Sequence, residues 1–321
     1  MRAAVTTLDT APLATSKGWI SIWMELIKAR LTLLVVLTTW VGFYLGSGTT
    51  VDFFLMLHTV GGTGLLAAGA AILNQVLERD FDGQMDRTAG RPLPAGHLSP
   101  QTALVSGVIV SIGGLAWLLF AVSPLVSCLG AITLATYIFV YTPLKRVTTL
   151  NTVVGAIPGA LPPLLGWCAA SGGWGAPGWS LFAILFFWQL PHFLAISWIY
   201  RRDYSSAGFR MLSGIDADGR KSAASAVRNT LALCVISLFP FALRMNGPFY
   251  LAGAIVLGAG FLYASIRFAN NRSTLLARQL FFASIIYLPL LLVLLVADKR
   301  NPTAADSSLS SLSQPVSSAS Q

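Results

Sequence analysis

The sequence predicts an all-α fold: a polytopic membrane helical bundle of about nine transmembrane helices around a central cavity, with the N-terminus cytoplasmic. Three observations carry that reading. The 321 residues are 55% hydrophobic and only 10% charged, with a mean hydropathy of +0.70, which is the composition of a chain that lives in lipid. Apolar runs recur along its length, each near the roughly 20 residues that cross a hydrocarbon core. Basic residues are also strongly segregated. With the N-terminus inside, all 21 lysines and arginines fall on the inner side except Arg244, Lys299 and Arg300, as expected where positive loops stay cytoplasmic.

The elements follow in order. Residues 1–18 and the Ser-rich stretch 299–321 read as disordered, leaving 19–298 as the membrane domain. Residues 1–16 lack the apolar core of a signal peptide and the Arg-rich amphipathic character of a transit peptide. Trp19–Arg30 begins apolar and ends with Glu25, Lys28 and Arg30, as an interfacial segment does. Spans are expected at 29–47 and 53–77. A tight hairpin follows at 103–122 and 124–141. The next span, 152–170, holds Gly155, Pro158, Gly159, Pro162 and Pro163, residues that bend a helix and are tolerated where a chamber or protein covers the backbone. Spans at 178–199, 228–244, 248–267 and 277–297 complete the set. Two long polar loops, 79–102 and 201–227, each follow a span with polar residues at its inner end, which suggests a weak internal duplication. Cys128, Cys168 and Cys234 lie singly in apolar spans and read as small buried hydrophobes. The net charge of +9 belongs mostly to these inner loops, with the remainder assigned to an anionic substrate. Nothing points to nucleic acid.

The densest chemistry lies in Asn74, Glu78 and Asp82. Their i, i+4, i+8 spacing drifts about 40° per step, so the three oxygens share one helical stripe. Carboxylates near a bilayer need a cation or a water-filled cavity. An oxygen-only set without Cys or His suits Mg²⁺ shared with a substrate phosphate. Asp86 extends the series but has drifted about 120° by then, which makes it the weaker ligand; Asp80 lies off the stripe. Arg87 and Arg91 flank these acids, as charge-assisted donors to a diphosphate would. Tyr141 and Lys145 form a second cluster at i, i+4, with Arg146 beside them. A third runs from Trp188 and Gln189 through His192 to Trp198, Tyr200 and Asp203. His192 and Asp203 are 11 residues apart in sequence, nearly one face of a continuous helix.

At these residues the chain resembles the UbiA superfamily of intramembrane prenyltransferases. The likeness runs from about 28 to 297 and is carried by three blocks, Asn74–Pro92, Tyr141–Trp167 and Trp188–Leu212. The superfamily's first motif, Asn-Asp-x-x-Asp-x3-Asp, maps to Asn74, Gln75, Glu78 and Asp82, where Gln75 supplies no carboxylate. The second motif maps near Phe193, Tyr200 and Asp203, where only Asp203 keeps its acid. That replacement, with His192 and the aromatics, resembles the branch dedicated to haem. The resemblance implies Mg²⁺ on Asn74, Glu78 and Asp82, with Asp86 and Asp203 as further candidates. It implies diphosphate contacts from Arg87, Arg91, Lys145 and Arg146. Catalytic roles are implied for Asn74, Glu78, Asp82, Tyr141, Lys145, His192 and Asp203, and haem contacts for His192, Trp198 and Tyr200. His192 could ligate the haem iron or orient the attacking water. The implied reaction joins farnesyl diphosphate to a vinyl group of haem B with addition of water. Its product would feed haem A synthase or a terminal oxidase assembly pathway. The implied setting is a bacterial cytoplasmic membrane, with the site facing the cytoplasm. A prenyltransferase for a quinone or chlorophyll precursor is the nearest alternative. A transporter of an anionic solute and a non-catalytic haem-handling protein fit the three-oxygen stripe poorly.

Overall fold

The computed structural model describes residues 17–300. Most of the two segments expected to be disordered, 1–16 and 301–321, lies outside the described residues. The few of their residues inside it are tied down. Lys17 pairs with Glu25 at 2.7 Å and also donates to the Gly90 carbonyl. Lys299 donates to the carbonyls of Tyr44 and Ser47, each at 2.7 Å.

Among the described residues fourteen α-helices succeed one another. A short α1 (Trp19–Leu26) leads into α2 (Ala29–Gly46) through Lys28, which adopts the left-handed conformation (φ 49°, ψ 54°). Next come α3 (Phe53–Asp82), α4 (Pro100–Ala121) and α5 (Pro124–Ala135). A π-helical turn, Thr136–Tyr141, joins α5 to α6 (Thr142–Leu144), and α7 (Asn151–Ser171) and α8 (Ala176–Ile199) follow. The short α9 (Arg201–Ser206) and α10 (Leu212–Ile215) precede α11 (Arg220–Ile236) and α12 (Phe239–Ala242). The chain ends with α13 (Pro248–Asn270) and α14 (Thr274–Ala297). Nine spans among the described residues are long and apolar enough to cross a membrane; α5–α6 and α11–α12 each count as one. The protein is a multi-pass membrane protein, and the nine-span expectation holds.

Local chemistry sets the boundaries. Ser99, Ser123 and Ser273 each cap the N-terminus of a helix, accepting from the backbone N–H three residues on. The first two precede a proline, whose missing N–H costs nothing in a first turn. Asp52 caps α3 in the same way, accepting from Leu55 at 2.9 Å. Two expected boundaries are corrected. The second span continues five residues beyond 77, so the helix carries the whole oxygen stripe, as the spacing predicts. The span expected at 228–244 begins at Arg220, so the 201–227 segment holds the short α9 and α10 and then the first turns of α11. Cys128 is exposed on the outer surface, unlike the buried Cys168.

Helices α2, α3, α5, α7 and α8 surround the chamber. The crossing of α2 and α7 is very close. A Cβ on Gly42 or Gly166 would collide with the backbone of Pro163 or Thr39 respectively, so both positions need glycine. The three prolines inside α7 are buried, and so lie where protein covers the interrupted hydrogen-bond ladder.

Candidate active site

Asn74, Glu78 and Asp82 point inward from the last turns of α3 and are almost sealed, at 0%, 5% and 1% exposure. Each carries a basic partner. Lys28 Nζ donates to Asn74 Oδ1, Lys145 Nζ to Glu78 Oε1, and Arg91 Nη1 to Asp82 Oδ2, all at 2.6 Å. Three basic side chains therefore face two carboxylates and an amide, an arrangement that suits an added anion. Asn74 is oriented from behind: its Nδ2 donates to Thr142 Oγ1 (3.1 Å), and that hydroxyl donates to the Tyr137 carbonyl (2.8 Å). The latter bond spans the π-turn. Pro143 has no N–H to continue the α ladder there, and a π-bulge is a common adjustment at functional sites.

Below this neck opens a cavity of about 330 Å³, mostly apolar. Thr63, Leu66 and Ala70 of α3 line it with Leu34 and Thr38 of α2, Leu134, Tyr137 and Tyr141, Pro158 and Pro162 of α7, and Leu185, Trp188, Gln189 and Phe193 of α8. The Tyr137 and Tyr141 rings lie 5.6 Å apart. A Cβ on Gly155 would run into the Tyr141 ring, so this glycine makes room for the tyrosine. Lys145 Nζ sits 4.6 Å from the centre of that ring, and the i, i+4 pairing read from sequence brings both residues to the neck. Burial works against charge on Lys145, but the Glu78 carboxylate more than offsets it, so its pKa is raised. Burial, reinforced by repulsion from Arg91, draws Lys28 down to about 7.

A loop layer covers the neck. Met85, Ala207 and Phe209 form a small buried cluster with Phe81, Tyr204 and Met211 around it. The Arg210 N–H donates to the Lys145 carbonyl at 2.7 Å. The two long loops thus meet directly over the cations. A second, wide-open hollow beside Arg79, Asp80 and Pro94 contains none of the three oxygens.

Among the described residues no three His, Cys, Asp or Glu side chains cluster as a metal cage. The donor set fits Mg²⁺ all the same, because that ion usually takes one or two carboxylates and completes its shell with water and substrate phosphate. Two buried carboxylates and an oriented amide oxygen, each held by a displaceable cation, make such a half-site.

Residues 35–286 match the UbiA prenyltransferase family. The chain belongs to that family. A protein of Solibacter usitatus named protoheme IX farnesyltransferase is 46% identical over 286 residues, covering 86% of this chain and 98% of the relative. Among solved structures, one of digeranylgeranylglyceryl phosphate synthase superposes with a TM-score of 0.73 at 17% identity, covering 87% of this chain and 98% of that one. A UbiA homolog from Archaeoglobus fulgidus bound to GPP and Mg²⁺ gives a TM-score of 0.61 at 14% identity, covering 86% and 99%. At such identities the structural likeness shows the fold. The resemblance read from three sequence blocks is borne out, and the chain is a UbiA-family prenyltransferase.

In this UbiA-family protein several expected site residues lie apart from the neck. Helix α3 ends at Asp82, so Asp86 is off the stripe and exposed in the loop. Arg87 donates to the Tyr204 hydroxyl at 3.1 Å and stands over the rings of Tyr200 (5.2 Å) and Tyr204 (5.4 Å). Arg146 lies over Phe81 at 4.4 Å. Trp198 donates to the Arg272 carbonyl (3.0 Å) and stacks under Arg201, away from the chamber. The shared face expected for His192 and Asp203 does not form. The α8 helix stops at Ile199, Tyr200 breaks the regular dihedrals, and Asp203 sits half-buried on α9. His192 turns towards α14, where Nδ1 bonds to Ser284 Oγ at 2.7 Å.

Two residues gain a meaning the sequence did not give them. Lys28 reads there as an orientation charge, yet it lines the chamber and touches Asn74. Its signal was a lysine at the very start of an apolar run. Gln75, the motif's missing carboxylate, donates to the carbonyls of Glu25 (3.0 Å) and Leu26 (2.7 Å). It ties the end of α1 to α3 and faces away from the ligand stripe.

Proposed function

We propose that this prenyltransferase transfers the farnesyl group of farnesyl diphosphate to a vinyl group of haem B, with addition of water, giving haem O and diphosphate. The observation that carries the prenyl half is the stripe of three sealed oxygens, each on a basic side chain, at the mouth of an apolar chamber. The haem half is supported by the 46% identity to a protein named protoheme IX farnesyltransferase.

Asn74, Glu78 and Asp82 would hold Mg²⁺, which when bound supplies charge neutralisation to a departing diphosphate. Lys28, Lys145 and Arg91 leave their resting partners and donate to the diphosphate oxygens. The donors are preorganised where negative charge grows as the C1–O bond breaks and its electron pair leaves with the diphosphate. The faces of Tyr137 and Tyr141 lie beside the neck and stabilise the allylic cation. The apolar walls hold the isoprenoid tail and keep bulk water from quenching that cation. The vinyl π pair of haem B then bonds to C1. The resulting cation beside the porphyrin takes the oxygen of one water, and the proton released leaves to solvent. The segregation of basic residues supports a bacterial cytoplasmic membrane setting with the neck on the cytoplasmic side. Haem O would pass to haem A synthase or an oxidase assembly pathway.

The test is direct. Purified protein incubated with farnesyl diphosphate, Mg²⁺ and haem B yields haem O, resolved by chromatography and mass. Absence of that product, with a farnesylated quinone precursor formed instead when one is supplied, overturns the haem reading.

A further inference from the structure

The prenyl chamber has a definite depth. Each of the five helices around it lines it for a stretch and then leaves it. The deepest lining residues are Thr38 on α2, Thr63 on α3, Gly130 on α5, Leu165 on α7 and Leu185 on α8. Counted from the neck, Thr38 lies ten residues beyond Lys28, Leu165 ten beyond Gly155, and Thr63 eleven before Asn74. At about 1.5 Å of rise per residue, three walls independently make the chamber about 15–16 Å deep. A carbon chain with bonds of about 1.5 Å and angles near 111° advances about 1.25 Å per bond when extended. An isoprene unit contributes four such bonds, so three units reach about 15 Å and a fourth needs about 20 Å.

Beyond that depth lies packed protein. Leu66 and Leu165 line the chamber and also belong to a buried apolar cluster with Phe43, Leu118, Leu129 and Leu164. A Cβ on Gly130 would stand 2.9 Å from Leu66 Cδ2 and 3.2 Å from Leu118 Cδ1, so the two leucines meet at the bare face of α5. Leu118 is wholly buried and does not line the chamber, so Leu66 stands in front of it. On the α2–α7 side the backbones themselves meet, at Gly42 with Pro163 and at Gly166 with Thr39, and leave no path between them. The floor keeps no free donor. Thr38 gives its hydroxyl hydrogen to the Leu34 carbonyl (3.0 Å), and Thr63 gives its own to the Thr59 carbonyl (2.7 Å). A hydrocarbon end strands no donor there.

We infer that this floor, with Leu66 as its plug, is a chain-length gauge that admits three isoprene units and rejects a fourth. Leu66, Thr63 and Gly130 are then specificity-determining residues for the isoprenoid. The inference rests on the prenyl half of the proposed function and does not depend on the acceptor. A fourth unit must fold back within the chamber or open the packed cluster, and a close-packed interior resists both. A chain one unit shorter leaves the floor uncovered and loses the contacts of its last five carbons.

The experiment needs no acceptor. Full-length protein in lipid nanodiscs with Mg²⁺ holds radiolabelled farnesyl diphosphate, and unlabelled geranyl, farnesyl and geranylgeranyl diphosphates compete for it. On the wild type, the shorter and the longer chain should each compete about tenfold less well than farnesyl. Leu66→Ala deepens the floor, and geranylgeranyl diphosphate should come within about threefold of farnesyl. Thr63→Leu raises the floor, and geranyl diphosphate should equal or surpass farnesyl. A damaged fold weakens all three competitors together, whereas the gauge moves the two variants in opposite directions. If Leu66→Ala does not fold, Thr63→Leu still reads the gauge. Wild-type protein that takes geranylgeranyl as well as farnesyl diphosphate overturns the inference, because the tail then leaves the chamber by another route. So do variants that keep the wild-type order of preference. If the wild type holds no prenyl diphosphate of any length, the prenyl reading itself fails and the gauge falls with it. If the chains rank as expected but no haem O forms in the activity assay, the gauge stands and only the acceptor changes.

Discussion

Removing the Lys145 ammonium should separate the stability of the neck from its chemistry. Lys145 and Glu78 form a 2.6 Å pair whose side chains are 17% and 7% exposed. Lys145→Met leaves the Glu78 carboxylate buried without its partner, which costs about 3–5 kcal/mol of stability. Glu78→Gln strands the lysine and costs a similar amount. The double variant, with neither charge, should recover most of that loss, because the large single-variant costs come from uncompensated burial. Activity should not recover. Losing one preorganised donor to a leaving anion lowers kcat by roughly 10²–10³, and the double variant has also lost a metal ligand. Thermal unfolding in matched nanodiscs and farnesyl transfer in the same preparations complete the cycle. Additive stability losses in the double variant would refute the pairing. Recovered turnover would refute the role of Lys145 at the diphosphate.

Four further outcomes follow from the same geometry. Lys28→Met removes a charge-assisted donor worth about 1.5–3 kcal/mol, so the KM for farnesyl diphosphate should rise by one to two decades in steady-state kinetics; an unchanged KM would return Lys28 to a purely topological role. Arg91→Ala, which strips the partner of Asp82, should lose on the order of a hundredfold in kcat/KM. Arg87→Ala, whose guanidinium is engaged with Tyr200 and Tyr204, should lose under tenfold, and equal losses would show that Arg87 swings onto the substrate. Gly155→Leu pushes Tyr141 from its place beside the chamber and should cut turnover on the order of a hundredfold while leaving helicity by circular dichroism intact.

Much of this molecule was legible in its sequence, for identifiable reasons. Membrane spans are written as long apolar runs, and Asn74, Glu78 and Asp82 lie within one helix, where spacing alone fixes a common face. Tyr141 and Lys145 were legible in the same way, because the π-turn ends at Tyr141 and an α-helical turn joins the two. Reasoning by helical period failed where the helix stopped. Asp86 and Asp203 were placed by extending α3 and α8 past their ends, at Asp82 and Ile199. Contacts between distant segments were illegible. Lys28 reaches Asn74 across 46 residues, and Ser284 fixes His192 across 92. Neither partner marks the other in sequence. Gln75 showed only what it lacked, since its partners are backbone carbonyls that any residue would supply.

The central claim is that the α3 stripe grips a divalent ion together with a diphosphate. Electron paramagnetic resonance of protein loaded with Mn²⁺ and ¹⁷O-labelled pyrophosphate tests it most directly. The wild type should bind the ion tightly only when pyrophosphate is present, with lines broadened by the labelled oxygens, and Asp82→Asn should abolish that signal while the protein stays folded. Equal binding by Asp82→Asn, or no broadening in the wild type, would contradict it.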